Sequence, residues 1–314
     1  MKASHVAETL LLQATAGLLA VLPRGLALAT GGLLGSAMGA LGVRKDVARS
    51  NIERAFPGRD DRWRARVLAE HYRELGRVAA DYARLASLAR APRDRVFSKF
   101  VGEEHVHAAR ARGRGVLFVT GHLGNFELLA SVMSQLMPLA VVVKPLSNPG
   151  ANAWIARLRQ SSGVDQLPIG AGVRGALRRL RAGGAVAMLA DQDARRDGVF
   201  VSFFGHMAST PAGPAWLSLA SGAPLVFGTC LRGPDGRYEA RFFPPIVPTG
   251  RADDANEVLA LTQRHTGMLE AVIRERPESW FWLHRRWKTA PRMPGTLDDD
   301  EDPVTAPPEE QEEW

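Results

Sequence analysis

A histidine and a glutamate stand five residues apart in the stretch GVLFVTGHLGNFELLA, residues 115–130. A neutral imidazole is a general base near neutral pH, and a carboxylate on its other nitrogen fixes the tautomer. On one continuous α-helix, the side chains of His122 and Glu127 would point about 140° apart. They meet only if His122 lies in a strand-to-helix turn and Glu127 in the first helical turn. Two glycines and a capping Asn125 supply such a break, so the pattern predicts a base with an orienting carboxylate; polar residues of an ordinary loop are the alternative.

A second polar cluster follows the apolar run AVAMLADQ, residues 185–192. In open α/β sheets, binding sites form at the carboxyl ends of strands, so both clusters are candidate site residues. Capping of the following turn is the alternative for the two aspartates. The second cluster comprises Asp191, Gln192, Asp193, Arg195 and Arg196.

Several well-known catalytic motifs are absent from the sequence. There is no Gly-x-Ser-x-Gly elbow, no P-loop, no Cys/His set with zinc spacing and no His-Glu-x-x-His. We therefore expect no metal site and no cofactor. A histidine that deprotonates a substrate hydroxyl needs neither of them, nor a protein nucleophile.

The body of the chain is strongly basic. Residues 298–314 hold nine acids and no Lys or Arg, so the net charge of +7 for all 314 residues becomes +16 for the remaining 297. A basic body indicates phosphate-bearing partners: nucleic acid, anionic lipid or a phosphorylated substrate. Solvated surface arginines account for part of the excess. The single Cys230 excludes an internal disulfide, and the acidic tail is typical of a disordered segment.

Residues 6–43 are apolar and nearly uncharged, with a break at Pro23-Arg24. The stretch lacks the cleavage site of a secretory signal, and its glycines make it a poor single span. A monotopic anchor that faces anionic headgroups is favoured; a transmembrane span and a pair of core helices are the alternatives.

Helical periodicity dominates residues 45–90, and strands alternate with helices after Pro92. Continuous apolar strands between amphipathic helices predict an α/β fold, a mixed, largely parallel sheet flanked by helices. We divide the chain into a membrane-associating segment (1–44), one α/β domain (45–291) and an acidic tail (292–314).

Five stretches, in register, resemble the bacterial lipid A biosynthesis (lauroyl/myristoyl) acyltransferases, a branch of the glycerolipid-type acyltransferases. The resemblance covers about residues 6–291. Its stretches are NIERAFPG (51–58), GVLFVTGHLGNFELLA (115–130), VVKPLSNPGANAWIARLRQSSG (142–163), MLADQDARRDGVFVSFFGHMASTPAGPAWLSLASGAPLV (188–226) and PESWFWLHRRWKTAP (277–291).

The resemblance implies transfer of a fatty acyl group from acyl carrier protein or coenzyme A to a hydroxyl of a lipid A precursor or similar glycolipid, at the cytoplasmic face of the inner membrane. His122 would be the general base and Glu127 its orienting partner. Arg159, or backbone amides near Asn125, would stabilise the oxyanion. The residues implied to bind substrate are Asn125, Lys144, Arg159, Asp191, Gln192, Asp193, Arg195 and Arg196.

Other readings of the sequence stay open. The acceptor could be a lysolipid, an ornithine lipid or a phosphatidylinositol mannoside, or the protein could bind lipid without catalysis. Nucleic acid is not an expected partner, because the strands lack interleaved aromatic and basic residues. Trp280, Trp282 and Trp287 fit either a membrane interface or a packed C-terminal element.

Overall fold

The computed structural model describes residues 3–170 and 172–291, and the predicted acidic tail lies outside this range. The helices are α1 (Ala3–Val21), α2 (Arg24–Ala40), α3 (Lys45–Ala55), α4 (Asp61–Tyr82), α5 (Leu85–Arg90), α6 (Arg93–Val96), α7 (Glu103–Ala111), α8 (Phe126–Leu136), α9 (Pro149–Ser161), α10 (Gly172–Arg181), α11 (Gly213–Ser221) and α12 (Ala255–Glu275). The strands are β1 (Phe97–Val101), β2 (Val116–Thr120), β3 (Leu139–Val143), β4 (Val164–Pro168), β5 (Ala185–Leu189), β6 (Val199–Phe203), β7 (His206–Thr210), β8 (Leu225–Arg232) and β9 (Tyr238–Phe242).

Seven strands form one sheet in the order β1-β9-β8-β2-β5-β3-β4. Every neighbouring pair is parallel except β8 with β9, so the predicted mixed, largely parallel sheet is confirmed. The two remaining strands, β6 and β7, form a separate antiparallel hairpin. The central strand β2 lies between β8 and β5, and its register pairs Thr120 with Leu189.

Helices cover both faces of this sheet. All five residues of β2 are buried, and they alternate between two cores. Val116 and Phe118 pack with α8 on one face, whereas Leu117 and Val119 pack with α10, α11 and α12 on the other. A continuous apolar strand is therefore the signature of a doubly covered sheet, as the sequence predicts.

The glycines of the N-terminal region bring α2 into close contact with α4. A Cβ at Gly31 would lie 2.4 Å from the carbonyl oxygen of Gly76, and one at Gly35 would lie 2.0 Å from that of Tyr72. These glycines therefore permit backbone-to-backbone packing, and α2 is fixed to the domain. By contrast, α1 is mostly exposed, and it is the one described helix that is long and apolar enough by itself to cross a membrane.

A buried ionic network joins these N-terminal helices to the sheet. Arg232 on β8 donates to Glu74 (2.9 Å) and Asp81 (2.8 Å) on α4, and Arg24 on α2 donates to Asp81 at 2.9 Å. The hydroxyl of Tyr238 donates to the same Asp81 carboxylate at 2.9 Å. Asp81 and Tyr238 are fully buried, so the network resists solvent screening and fixes α4 relative to the sheet.

Candidate active site

His122 lies in the turn that connects β2 to α8, where the sequence predicts a break between strand and helix. Gly124 adopts a left-handed φ of 57°, and a Cβ there would lie 2.3 Å from the carbonyl oxygen of Cys230. Its N–H donates to the Ser279 carbonyl at 2.8 Å. Asn125 then caps α8 by accepting from the Leu128 N–H at 2.9 Å. The turn is held on both sides, so the backbone carrying the imidazole is rigid.

The carboxylate bound to His122 is Asp191. Nδ1 of His122 lies 2.8 Å from Asp191 Oδ1, and the backbone N–H of His122 donates to Oδ2 at 2.7 Å. Trp280 Nε1 donates to the same Oδ2 at 2.8 Å. Burial opposes the negative charge, but the imidazole and these donors hold the pKa of Asp191 at about 2, so the carboxylate is ionised near neutral pH.

The ionised carboxylate decides the tautomer of His122. Because Asp191 only accepts hydrogen bonds, Nδ1 carries the proton and Nε2 keeps its lone pair. Burial disfavours the imidazolium, yet the charge of Asp191 outweighs it and raises the pKa of His122 above its usual 6.5. The side chain of His122 is 27% exposed, so the imidazole is partly accessible.

Glu127 does not have the orienting contact that its spacing suggested. It forms an ion pair with Arg159 on α9, with Nε of Arg159 3.0 Å from each carboxylate oxygen and Nη2 2.5 Å from Oε1. The reason is geometric: Glu127 lies on α8 and faces α9, whereas Asp191 follows β5, the strand paired with β2. The expectation that Glu127 orients His122 is therefore corrected in favour of Asp191, and Arg159 is engaged by Glu127.

The remaining predicted substrate residues divide between buried and exposed positions. Asn125 is buried, and besides capping α8 it donates to the Tyr238 hydroxyl at 3.1 Å. Asp193 accepts from Thr289 at 2.8 Å, and its N–H donates to Nε2 of His284 at 2.9 Å. Gln192 beside it is half-buried. The predicted cations Lys144, Arg195 and Arg196 are exposed, beyond the ends of β3 and β5.

The sequence did not predict that two buried residues, Trp280 and Arg286, contribute hydrogen bonds near the site. Trp280 is 1% exposed and bonded to Asp191, which favours the packed element over the membrane interface. Arg286 is fully buried and donates to the Ser209 carbonyl and the Thr210 hydroxyl. Burial lowers the pKa of Arg286 to about 10, while Asp191 and Asp193 favour its charge. Both lie in the WFWLHRRWK stretch that carried the resemblance.

A cavity of about 300 Å³ opens beside His122. One wall is a face of α4, and the others are the turn after β2, the start of α8, part of α9 and residues 278–281. Its lining is mainly apolar, and it includes Leu75, Val78, Ile155 and Phe281. A second, smaller space of about 30 Å³ lies beneath α8 against β3 and β5. Within residues 3–170 and 172–291 no group of three or more metal-ligating side chains is present.

The site is a His122–Asp191 pair at the carboxyl edge of a mixed sheet, beside a mainly apolar cavity, and this arrangement is typical of enzymes that act on apolar substrates. Residues 3–289 match the model of the bacterial lipid A biosynthesis acyltransferases, and the chain belongs to this family. The protein is therefore an acyltransferase with a lipid acceptor.

Individual relatives agree with the family match. The chain is 30% identical over 254 residues (79% of this chain, 80% of the relative) to a lipid A biosynthesis palmitoleoyltransferase of Escherichia coli K12. It is 29% identical over 270 residues (82% and 85%) to a lipid A biosynthesis lauroyltransferase of the same organism. It is also 27% identical over 253 residues (78% of each chain) to a phosphatidylinositol mannoside acyltransferase of Mycolicibacterium smegmatis.

Proposed function

We propose that this protein transfers a fatty acyl group from a thioester of acyl carrier protein or coenzyme A to a hydroxyl of a lipid A precursor, with His122 as general base. The observation that carries this proposal is the bond from Nδ1 of His122 to Asp191, which leaves Nε2 as the basic nitrogen beside the cavity. The family match supports a lipid A precursor as the acceptor.

The proposed reaction is a direct transfer. Nε2 of His122 takes the proton of the acceptor hydroxyl as its oxygen attacks the thioester carbonyl carbon. The tetrahedral intermediate then expels the thiolate, which recovers the proton from the imidazolium. Asp191 stabilises that imidazolium while it exists. Because the acceptor oxygen attacks the thioester directly, no acyl-enzyme and no protein nucleophile are needed. We also propose that the reaction requires neither a metal nor a cofactor, the thioester being a co-substrate.

Oxyanion stabilisation is assigned to the first turn of α8. The N–H groups of Gly124, Asn125 and Leu128 donate to Ser279, Cys230 and the Asn125 side chain, respectively. The amides of Phe126 and Glu127 begin the helix, where its dipole favours negative charge. Arg159, bound to Glu127, holds the start of α8 against α9.

We further propose that the N-terminal helices attach the enzyme to the cytoplasmic face of the inner membrane. Several leucine side chains on α1 and α2 are largely exposed, among them Leu11 (70%) and Leu33 (72%). Exposed apolar area of this kind favours transfer into a bilayer interface, and the basic body of the chain favours anionic headgroups. An acceptor in the membrane would then lie close to the cavity wall formed by α4.

The decisive experiment compares His122→Ala with the wild-type protein in membrane vesicles that contain the acceptor, using acyl carrier protein and coenzyme A thioesters separately. We expect loss of transfer by about 10²–10⁴-fold, the usual contribution of a general base. His107→Ala, an exposed histidine on α7, is the matched control and should retain full activity. Undiminished transfer by His122→Ala would remove the catalytic assignment.

The acceptor is tested independently by mass spectrometry of lipids from a deletion strain. Loss of one secondary acyl chain from lipid A supports the proposed acceptor and reports the chain length. Loss from a phosphatidylinositol mannoside, a lysolipid or an ornithine lipid would reassign the acceptor and leave the acyltransfer chemistry intact.

A further inference from the structure

Three buried polar side chains connect α4 to the turn that carries His122. Oδ2 of Asp81 on α4 accepts a hydrogen bond from the Tyr238 hydroxyl on β9 at 2.9 Å. The Tyr238 oxygen in turn accepts from Nδ2 of Asn125 at 3.1 Å, and Oδ1 of Asn125 accepts from the Leu128 N–H at 2.9 Å. Each of these three residues is at most 1% exposed. The proposed mechanism uses only the cap on α8, so Asp81 and Tyr238 have no part in it so far.

The proton of the Tyr238 hydroxyl points to Asp81. Burial opposes the charge of Asp81, but the hydrogen bonds and charges of Arg24 and Arg232 outweigh this effect, and the pKa of the carboxyl lies below its usual range. Burial raises the pKa of Tyr238 well above its usual 10, so the hydroxyl keeps its proton. An ionised carboxylate only accepts hydrogen bonds, so Tyr238 donates its one proton to Asp81.

With that proton committed, the Tyr238 oxygen can only accept from its other neighbours. Nη2 of Arg232 is one donor to it, and Nδ2 of Asn125 is the other. The reverse orientation of the Asn125 amide would place Oδ1 against the lone pairs of Tyr238, and it would place Nδ2 against the Leu128 N–H. Tyr238 therefore favours the one amide orientation in which Oδ1 of Asn125 caps α8.

The hydroxyl is also the group that satisfies the amide nitrogen of Asn125. Within residues 3–170 and 172–291, Tyr238 supplies the one acceptor for Nδ2. Removal of the hydroxyl would leave a buried donor unsatisfied, which destabilises the observed position of the amide. The cap on α8 is therefore held from outside the turn, by a side chain of β9.

We propose that Tyr238 is a positioning residue for acyl transfer: its hydroxyl orients the Asn125 amide, and Asn125 in turn holds the first turn of α8. The inference rests on the proposed function, in which the amides of Phe126 and Glu127 stabilise the oxyanion. Negative charge on that oxygen develops fully only after attack on the thioester. A displaced first turn should therefore reduce kcat rather than substrate affinity.

The first test is Tyr238→Phe, which removes the hydroxyl and retains the ring. We expect kcat to fall about 3- to 10-fold, the fold-change of one ordinary hydrogen bond, with both KM values within about twofold. Tyr72→Phe is the matched control. Tyr72 is also buried, at 2% exposed, but its hydroxyl donates to the Val43 carbonyl and it lies outside the cavity lining. Tyr72→Phe should lower the melting temperature and leave kcat unchanged.

Asn125→Ser tests the same hydrogen bond from its other end. Serine is as good a helix cap as asparagine, so its hydroxyl can accept from the Leu128 N–H. It has no amide nitrogen and is too short to reach Tyr238. We expect kcat to fall about as far as in Tyr238→Phe, and the double variant to fall no further than either single variant.

The pH profile separates this role from an effect on the base. The Tyr238 hydroxyl is neutral, so its removal takes no charge from the surroundings of His122. The acid limb of kcat/KM should therefore keep its wild-type midpoint in Tyr238→Phe. A shifted midpoint would overturn the inference, because Tyr238 would then act on the imidazole rather than on the cap of α8.

Three further results would overturn the inference: unchanged kcat in folded Tyr238→Phe, an equal fall of kcat in Tyr72→Phe, or additive losses in the double variant. The second and third would mean that the hydroxyl contributes general stability and does not act through Asn125. If Tyr238→Phe does not fold, unchanged kcat in Asn125→Ser decides against the inference by itself. Failure here leaves the proposed function intact, since that function depends on the loss of transfer in His122→Ala.

Discussion

His122 and Asp191 are neighbours because each follows its strand by two residues and the two strands are parallel and in register. Thr120 pairs with Leu189 at the ends of β2 and β5, and the hydrogen bond of 2.8 Å between the two side chains continues that register past the ends of the sheet. The geometry of the His122–Asp191 pair is therefore set by strand pairing rather than by the helix that follows His122. It follows that the carboxylate at 191 controls both the tautomer and the basicity of the imidazole.

Asp191→Asn should reduce kcat by about 10²–10⁴-fold with little change in either KM. The amide removes the charge that stabilises the imidazolium, and it permits the wrong tautomer by donating to Nδ1. Steady-state acyl transfer measures the effect. Asp165→Asn, an exposed aspartate on β4, is the control and should keep wild-type kcat. Near-normal turnover in Asp191→Asn would indicate that His122 does not act as the proposed base.

The pH dependence of kcat/KM should report the raised pKa of His122. Only the neutral imidazole accepts a proton, so activity rises with pH, and we expect the midpoint of this acid limb above 6.5 in the wild type. In Asp191→Asn the stabilising charge is lost while burial remains, so the midpoint should move to lower pH. A limb that stays in place in Asp191→Asn would contradict the assignment of His122 as the titrating group.

The sequence predicted the local break around His122 but not the partner of the imidazole. Glycines and a capping asparagine are local signals, and they correctly place the histidine in a turn and Glu127 in a helix. That β5 lies beside β2, with β3 and β4 further out, is a property of tertiary packing, which local periodicity does not encode.

The ion pair between Glu127 and Arg159 should contribute to the stability of the protein. The two side chains are only 10% and 18% exposed. Glu127→Gln or Arg159→Gln alone leaves an unpaired, largely buried charge, and each should lower the free energy of unfolding by about 1–3 kcal/mol, a buried-pair value reduced for partial exposure. The double variant should lose less than the sum of the two.

Thermal or denaturant unfolding of the wild type, the two single variants and the double variant gives the coupling energy between Glu127 and Arg159 directly. Asp253→Asn, which breaks an ion pair with Arg251 on the surface, is the control and should leave stability unchanged within error. Strictly additive effects of the Glu127 and Arg159 substitutions would mean that the pair does not couple α8 to α9.

Close packing of α2 on α4 predicts opposite outcomes for two glycine-to-alanine changes. A methyl group at Gly35 would lie 2.0 Å from the Tyr72 carbonyl oxygen, so Gly35→Ala must separate the helices, at a cost of about 1–3 kcal/mol. Gly17 on α1 has nothing within 4 Å of a Cβ, so Gly17→Ala should stabilise that helix by about 0.5–1 kcal/mol. Melting temperatures in detergent measure both.

Because α4 also forms a wall of the cavity, Gly35→Ala should raise the KM values as well, whereas Gly17→Ala should leave them unchanged. Equal KM values in the two variants would show that α2 does not support the cavity.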